Sequence, residues 1–462
     1  MEENLNQGEE NVVYENTASE DFDQGSSKKK IISLIIGAFV VLMLVFVVLL
    51  VVLPRFKSSK TSGNVTLTYW GIWEDPGAIT EIADEFTRVH PNIKIKYEKK
   101  DIKGEGKFMD RLAARMQDGT GPDVFRFHNS WVPELKGMML PLPSDLVSSS
   151  EIDTKYYNVI KRDLNIGGAY YGIPIHMDTL ALYVNSKILK DAGITTYPSS
   201  WEDLINISRQ VVVKDADGRI TTAGVALGTF DNISHASDIV SLLMVQDGAD
   251  LKNLGGRTKE VASGALDYYS AFAKGDQKVW DEKMDNSKLA FGKGNLALYF
   301  GYSWDIFEIK AINPNLEFVV IPVPRITPEK DKTIASYWVE GVSAKSKHPT
   351  EAFEFLKFLT SKENLEKLYA KESKLRFFGE IYPRRDMQDL LKTNSLISPF
   401  LERADKAEST PFSSDTYDEG MVDSLNKYMA DAVNSVHENT SPSSAIETLG
   451  KGVSDILGRY AK

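Results

Sequence analysis

Three short stretches gather the side chains best suited to recognising a small molecule. "WGIWEDPG" carries Trp70, Trp73 and Glu74, "HNSW" carries His128, Asn129 and Trp131, and "GYSW" carries Ser303 and Trp304. Indole rings offer flat apolar faces, while the carboxylate, imidazole, amide and hydroxyl groups beside them exchange hydrogen bonds. That mixture suits a ligand with apolar C–H faces and a rim of hydroxyls, such as a carbohydrate. A phosphate or carboxylate ligand calls instead for Arg, Lys or a glycine-rich helix start. None of the three loops contains a cation, so a neutral polyol is expected over an anion. A fourth stretch, "YGIPIHMDTLALYVNSKIL", sets His176, Met177 and Asp178 between two runs that read as core. Either this is a local turn, or the chain crosses here between two halves of a cleft.

The elements around these loops follow a repeated grammar. "VTLTY" alternates as a strand, with Val65, Leu67 and Tyr69 on one face. A helix follows on the spacing of Ile79, Ile82, Ala83, Phe86 and Val89, with Asp75 as N-cap and Pro76 at its first position. "NIKIKY" alternates again, which makes a strand–helix–strand unit and implies a parallel sheet. "PDVFRF" then "HNSW" then "VPELKG", and "NLALYF" then "GYSW" then "DIFEIKAI", repeat strand, loop and helix. In open α/β sheets, ligands bind beyond the carboxyl ends of the strands, where these tryptophan loops fall.

Other signals carry less. The six histidines never stand at metal-ligand spacing, so no metal is expected. "DADG" (215–218) lacks the remaining ligands of a calcium loop and reads as a hairpin turn. "GKGN" (292–295) lacks the spacing of a phosphate loop. Glu74 and Asp178 could serve as a glycosidase's acid and base, but paired acids are common in a chain of 462 residues and nothing else points to hydrolysis. No catalytic residue and no cofactor is expected.

Composition bounds the class. The chain is 42% hydrophobic and 26% charged, enough for two sizeable cores. Its net charge is −11, and a body without a basic excess makes no nucleic-acid binder. With no cysteine there is no disulfide, thiolate site or lipid-modified cysteine. Residues 1–27 hold eight acids and no Lys or Arg, so residues 1–30 read as a disordered cytoplasmic tail. The run 31–53 has no charge over 23 residues and reads as an uncleaved transmembrane helix, since no small-x-small cleavage site follows it. Residues 54–64 read as a linker. The expected location is the cell membrane, single-pass, with the C-terminal body outside the cytoplasm.

The chain resembles the extracellular solute-binding proteins of ATP-binding-cassette (ABC) sugar importers, the group that includes maltose-binding protein. The resemblance runs over roughly residues 65–460 and rests on six stretches in the family's order. These are "ITEIADEFTRVHPNIKI", "GTGPDVFRF…W…LKGMMLPL", "YGIPIHMDTLALYVNSKILKDAGI…YPSSWEDL", "LAFGKGNLALYFGYSW", "YWVEGVSAKSKHPTEAFEFLKFLTSKEN" and "EIYPRRD". It implies an α/β, two-lobed, periplasmic-binding-protein-like fold (type II), with lobe 1 over 65–176 and 341–380 and lobe 2 over 177–340 and 381–462. It also implies that the chain leaves the first lobe just after Pro174, and that Asp178 reaches back into the cleft toward a sugar hydroxyl. By the same resemblance Trp73, Glu74, His128, Asn129 and Trp304 line the cleft, with Asp231 on the second lobe, Trp338 near the second crossover, Tyr382 near the third, and Phe412 and Tyr417 late in the chain. The implied role is that of a monomer that captures a sugar or oligosaccharide, closes by hinge bending and delivers it to ABC permease subunits. A surface glycoside hydrolase and a sugar receptor for a signalling partner are the alternatives. The family's usual anchors are absent from this reading, which has a membrane helix in their place.

Overall fold

The computed structural model describes residues 64–103 and 107–460. The expected acidic tail, membrane helix and nearly all of the linker lie outside the described residues. Among the described residues, no helix is long and apolar enough to cross a membrane.

The first lobe opens as the alternation requires. β1 (Val65–Gly71) buries Val65, Leu67 and Tyr69 and leaves Thr66 exposed. Asp75 caps α1 (Pro76–Val89) by accepting from the backbone N–H groups of Gly77 at 2.8 Å and Ala78 at 3.2 Å. The helix buries Ile79, Ile82, Ala83 and Phe86, and the larger of these contribute roughly 1.5–3 kcal/mol each. Val89, expected on that face, is 64% exposed at the helix end. β2 (Ile93–Lys99) follows, then α2 (Phe108–Asp118) and the wholly buried β3 (Val124–His128). β1 pairs in parallel with both β2 and β3. A small hairpin, β4 (Asn165–Ile166) and β5 (Ala169–Tyr170), precedes β6 (Ile173–Pro174). Gly172 makes the turn into β6 at φ +83°, where a Cβ would lie 2.6 Å from Val339 Cγ1 and 2.8 Å from the Glu340 carbonyl. Both conformation and space demand glycine there.

The chain then passes through β7 (Asp178–Thr179) into β8 (Ala181–Asn185). A reciprocal capping box of Ser200 and Asp203 starts α3 (Trp201–Val211). β9 (Val213–Lys214) and β10 (Ile220–Val225) pair antiparallel around the "DADG" turn, with Gly218 at φ +76°. α4 (Ala236–Gln246) is buried all round, and α5 (Gly256–Ala271) packs beside it. β11 (Leu296–Gly301), α6 (Asp305–Ile312) and β12 (Phe318–Pro322) complete the second lobe's sheet, whose order is β12-β8-β11-β10-β9.

β13 (Thr333–Ser336) leads back to β14 (Trp338–Val342), which joins the first sheet beside β3 and β6. That sheet has the order β2-β1-β3-β14-β6 and is mixed rather than parallel throughout, because β14 runs antiparallel to both its neighbours. The return to the first sheet begins at Trp338, three residues before the expected boundary at 341. α7 (Pro349–Leu359) and α8 (Lys362–Glu372) pack on α1. Finally β15 (Ala407–Glu408) pairs with β13, while α9 (Met421–His437) and α10 (Pro442–Tyr460) pack on each other and on α5.

The lobes are joined by three adjacent passages of chain. β7 pairs antiparallel with β13 through Asp178 and Ser336, and the Met177 N–H donates to the Ile381 carbonyl at 3.0 Å. The "HMD" stretch is therefore a crossing point between two sheets and not a local turn.

Candidate functional site

A cavity of about 330 Å³ opens where these passages meet the two sheets. Five of the expected residues line it: Trp73, Asp178, Trp304, Trp338 and Tyr417. Trp73 follows β1, is 37% exposed, and meets Trp338 edge to face with ring centres 5.6 Å apart. Trp338 opens β14 and is backed by Trp131 at 5.3 Å and by the His128 ring at 5.1 Å. On the opposite wall Trp304 stacks on Tyr302 with ring centres 4.4 Å apart and the planes nearly parallel. The turn that carries Trp304 is set by Asp305, whose Oδ2 accepts from the Tyr302 N–H, the Tyr299 hydroxyl and His235 Nε2. Lys288 Nζ lies 2.8 Å from the other oxygen. Burial opposes the Asp305 charge, but His235 and Lys288 outweigh it and hold the carboxyl well below the usual range.

Asp178 sits on the first passage, buried, with Oδ2 accepting from the Ser303 N–H and Oδ1 from the Thr179 N–H, both at 2.8 Å. Burial pushes its carboxyl up to about 7, against the pull of those hydrogen bonds. His176 Nδ1 lies 3.8 Å from Glu380 Oε2, and burial lowers the imidazole below its ordinary value. Glu380 also pairs with Arg376, which lies 3.3 Å from Glu372. Burial works against the Glu380 charge, yet the Arg376 guanidinium outweighs it and holds the carboxyl below its ordinary value. Late in the chain, Ser414, Asp415 and Tyr417 complete the wall. Asp415 and Tyr417 adopt positive φ values of 54° and 53°, a strained backbone of the kind that clusters at ligand-facing loops.

The remaining expected contacts lie elsewhere. Glu74 is fully buried beneath Trp73, ion-paired with Arg126, which donates from Nε to Glu340 Oε1 at 2.7 Å. A carboxylate with no access to water needs a cation, and this one takes its cation from β3 instead of facing the cavity. His128 is buried and stands one layer behind, its Nε2 3.0 Å from the hydroxyl of Ser336, which does line the cavity. Burial lowers the His128 pKa to about 3, so it is neutral. Asn129 is spent on the second passage. Its N–H donates to the Tyr337 carbonyl at 3.0 Å, its Oδ1 accepts from the Tyr337 N–H at 3.3 Å, and its amide donates to Asp163 at 3.0 Å. Asp231 is exposed on a turn away from the cavity, while its neighbour Asn232 turns inward to bind the carbonyls of Asp281 and Met284. Tyr382 is buried against Tyr369 at 5.4 Å, and Phe412 is core.

The sequence profile of the bacterial extracellular solute-binding proteins matches residues 71–366. The chain belongs to that family. An uncharacterised extracellular-binding protein of an ABC transporter in Pyrococcus horikoshii is 24% identical over 366 residues, covering 72% of this chain and 75% of that protein. The multiple sugar-binding protein of Streptococcus mutans is 21% identical, covering 70% of this chain and 77% of its own length. Among solved structures, a cyclo/maltodextrin-binding protein complexed with maltotetraose superposes with a TM-score of 0.69 at 19% identity, over 86% of this chain and 98% of that one. At that identity the likeness concerns the fold, which is the two-lobed α/β arrangement described above.

This solute-binding protein also recruits cavity residues outside the tryptophan loops: Lys288, Phe307, Arg376, Phe378, Glu380 and Asp415. The expectation of a cation-free site therefore fails for the wall as a whole. Both deep cations are already matched by carboxylates, Lys288 with Asp305 and Glu308, and Arg376 with Glu372 and Glu380. Arg376 and Phe378 stand just before "EIYPRRD", so the motif's neighbourhood was in view but not their direction.

Proposed function

We propose that this solute-binding protein captures a sugar or oligosaccharide between its lobes and hands it to an ABC importer, while anchored to the membrane by residues 31–53. The observation that carries the sugar reading is the cavity itself. Trp73 and Trp338 come to it from the first sheet and Trp304 from the second, and Asp178 and Ser303 sit between them. Indole faces suit the C–H faces of a pyranose, and carboxylate and hydroxyl groups suit its rim. A ligand bridging both walls favours the closed arrangement of the lobes, with bending at residues 175–177, 337 and 380–382. The names of relatives, which include multiple sugar-binding and arabinooligosaccharide-binding proteins, agree with this class. The hydrolase alternative asks Glu74 and Asp178 to flank one bond, and Glu74 is sealed away from the cavity.

Tryptophan fluorescence and calorimetric titration of the full-length protein against a broad oligosaccharide panel test the reading. Saturable one-to-one binding without product formation supports a carrier, turnover supports an enzyme, and no response across the panel removes the sugar reading. Carbonate extraction of membranes tests the anchor separately: release of the intact chain into the soluble fraction excludes a spanning helix.

A further inference from the structure

The cleft does not end at Trp73. That ring also borders an open depression of about 530 Å³ lined by Lys99, Lys100, Asp101 and Lys103. Lys100 in turn borders a third hollow of about 400 Å³ between β1, β2 and α2, where Arg111 and Arg115 project. Shared residues link all three: Trp73 and Lys103 join the cleft to the depression, and Lys100 joins the depression to the hollow. The result is a track from the cleft across the face of the first lobe.

Its charge is unlike that of the rest of the body. Five cations line the two outer parts, Lys99, Lys100, Lys103, Arg111 and Arg115, against two carboxylates, Glu98 and Asp101. The first 63 residues carry −2 of the chain's −11, which leaves −9 for the body on which this basic track lies. Glu98 pairs with Lys96 and Lys100, both at 2.6 Å, and Lys100 also covers the Trp70 ring at 4.2 Å. Lys99, Lys103, Arg111 and Arg115 are exposed residues, with Lys99 donating to the Trp73 carbonyl at 3.0 Å, Arg111 to the Asp101 carbonyl at 3.4 Å, and Lys103 lying over the Tyr417 ring at 4.9 Å. Clustering like charges on an acidic body is unfavourable by itself and is relieved by an anion.

We infer that the ligand is an oligosaccharide with anionic substituents, carboxylate or sulfate, one part seated in the cleft and the charged remainder running over Trp73 along the track to Lys100, Arg111 and Arg115. This rests on the sugar reading proposed above and adds the ligand's charge and its direction of exit. It replaces the neutral polyol expected from the three loops, whose cation-free composition describes those loops alone.

The test titrates the full-length chain with paired oligosaccharides of equal length: neutral glucan and mannan, the corresponding uronates, and sulfated versions. The acidic member of a binding pair is expected to bind about tenfold tighter at low salt, with the advantage fading at 0.5 M salt. The uronate and sulfated arms identify which anionic substituent is read. The double variant Lys100→Gln/Arg115→Gln, and Arg115→Glu alone, should remove that advantage while neutral binding stays within about twofold, which also reports an intact fold. If neutral sugars bind and their acidic counterparts bind no tighter, or the variants bind the acidic sugar as the parent does, the inference is overturned while the sugar reading stands. If no member of any series binds, the sugar reading itself falls and takes the inference with it.

Discussion

The Glu74–Arg126–Glu340 cluster gives the sharpest prediction, because all three side chains are fully buried and tie together the elements that carry Trp73 and Trp338. Replacing Arg126 with methionine keeps most of the side-chain volume and removes the cation. Two carboxylates then remain in contact distance of the same space with no counter-ion. Removing one partner of a buried ion pair costs about 3–5 kcal/mol. With a urea slope of ~3 kcal/mol/M, the unfolding midpoint should fall by roughly 1–2 M. The sign with pH is fixed by the same argument. Unpaired buried carboxyls have folded pKa values above their unfolded ones, so stability is kept below the unfolded values near 4 and lost as pH rises. The Arg126→Met penalty should therefore be larger at pH 8 than at pH 5. Adding Glu74→Gln and Glu340→Gln should recover most of the loss, since the orphaned charges are then gone. Urea melts followed by circular dichroism at both pH values decide it. A penalty below about 1 kcal/mol, or one equal at pH 5 and pH 8, would refute the paired-charge reading of this cluster.

Three further outcomes follow from the site. Trp304→Ala should weaken sugar binding about tenfold or more, because the indole that the second sheet brings to the cavity wall is lost, and titration calorimetry reads it directly. Asp178→Asn should raise stability at pH 8 and leave it little changed at pH 4, because a carboxyl held up to about 7 by burial costs most once ionised; thermal melts across that range check the sign. Asn129→Ala should lower stability by about 1–3 kcal/mol, since it leaves the Tyr337 N–H and Asp163 each short of a partner, while affinity per folded molecule changes far less than in Trp304→Ala.

Much of the scaffold was legible because it is written in local period. The alternation of "VTLTY" and "NIKIKY", the cap at Asp75 and the hairpin at "DADG" depend on neighbours a few residues away. The convergence of Trp73 and Trp304 was legible because each stands just past a strand end, where α/β topology places a crevice, whereas Asp178 was placed in the cleft by the family resemblance. The failures share a different cause. Glu74 finds Arg126, Arg126 finds Glu340, and Asn129 finds Tyr337, across separations of 52, 214 and 208 residues that no window along the chain can see. Their polarity was read as an offer to a ligand, when burial had already committed it to the protein. The cations at Lys99, Lys100 and Lys103 were visible as residues, but the surface that joins them to the cleft exists only once β1, β2 and α2 are folded together.

The three passages between the lobes also supply part of the wall: Met177 and Asp178 on the first, Ser336 and Trp338 on either side of the second, Glu380 and Ile381 on the third. In the closure proposed above, these passages serve at once as part of the joint and part of the grip. Altering a residue on these passages to suit a new cargo would regear the motion at the same stroke. Trp73 and Trp304, mounted on the sheets to either side, are the positions where taste can drift while the swing is left alone.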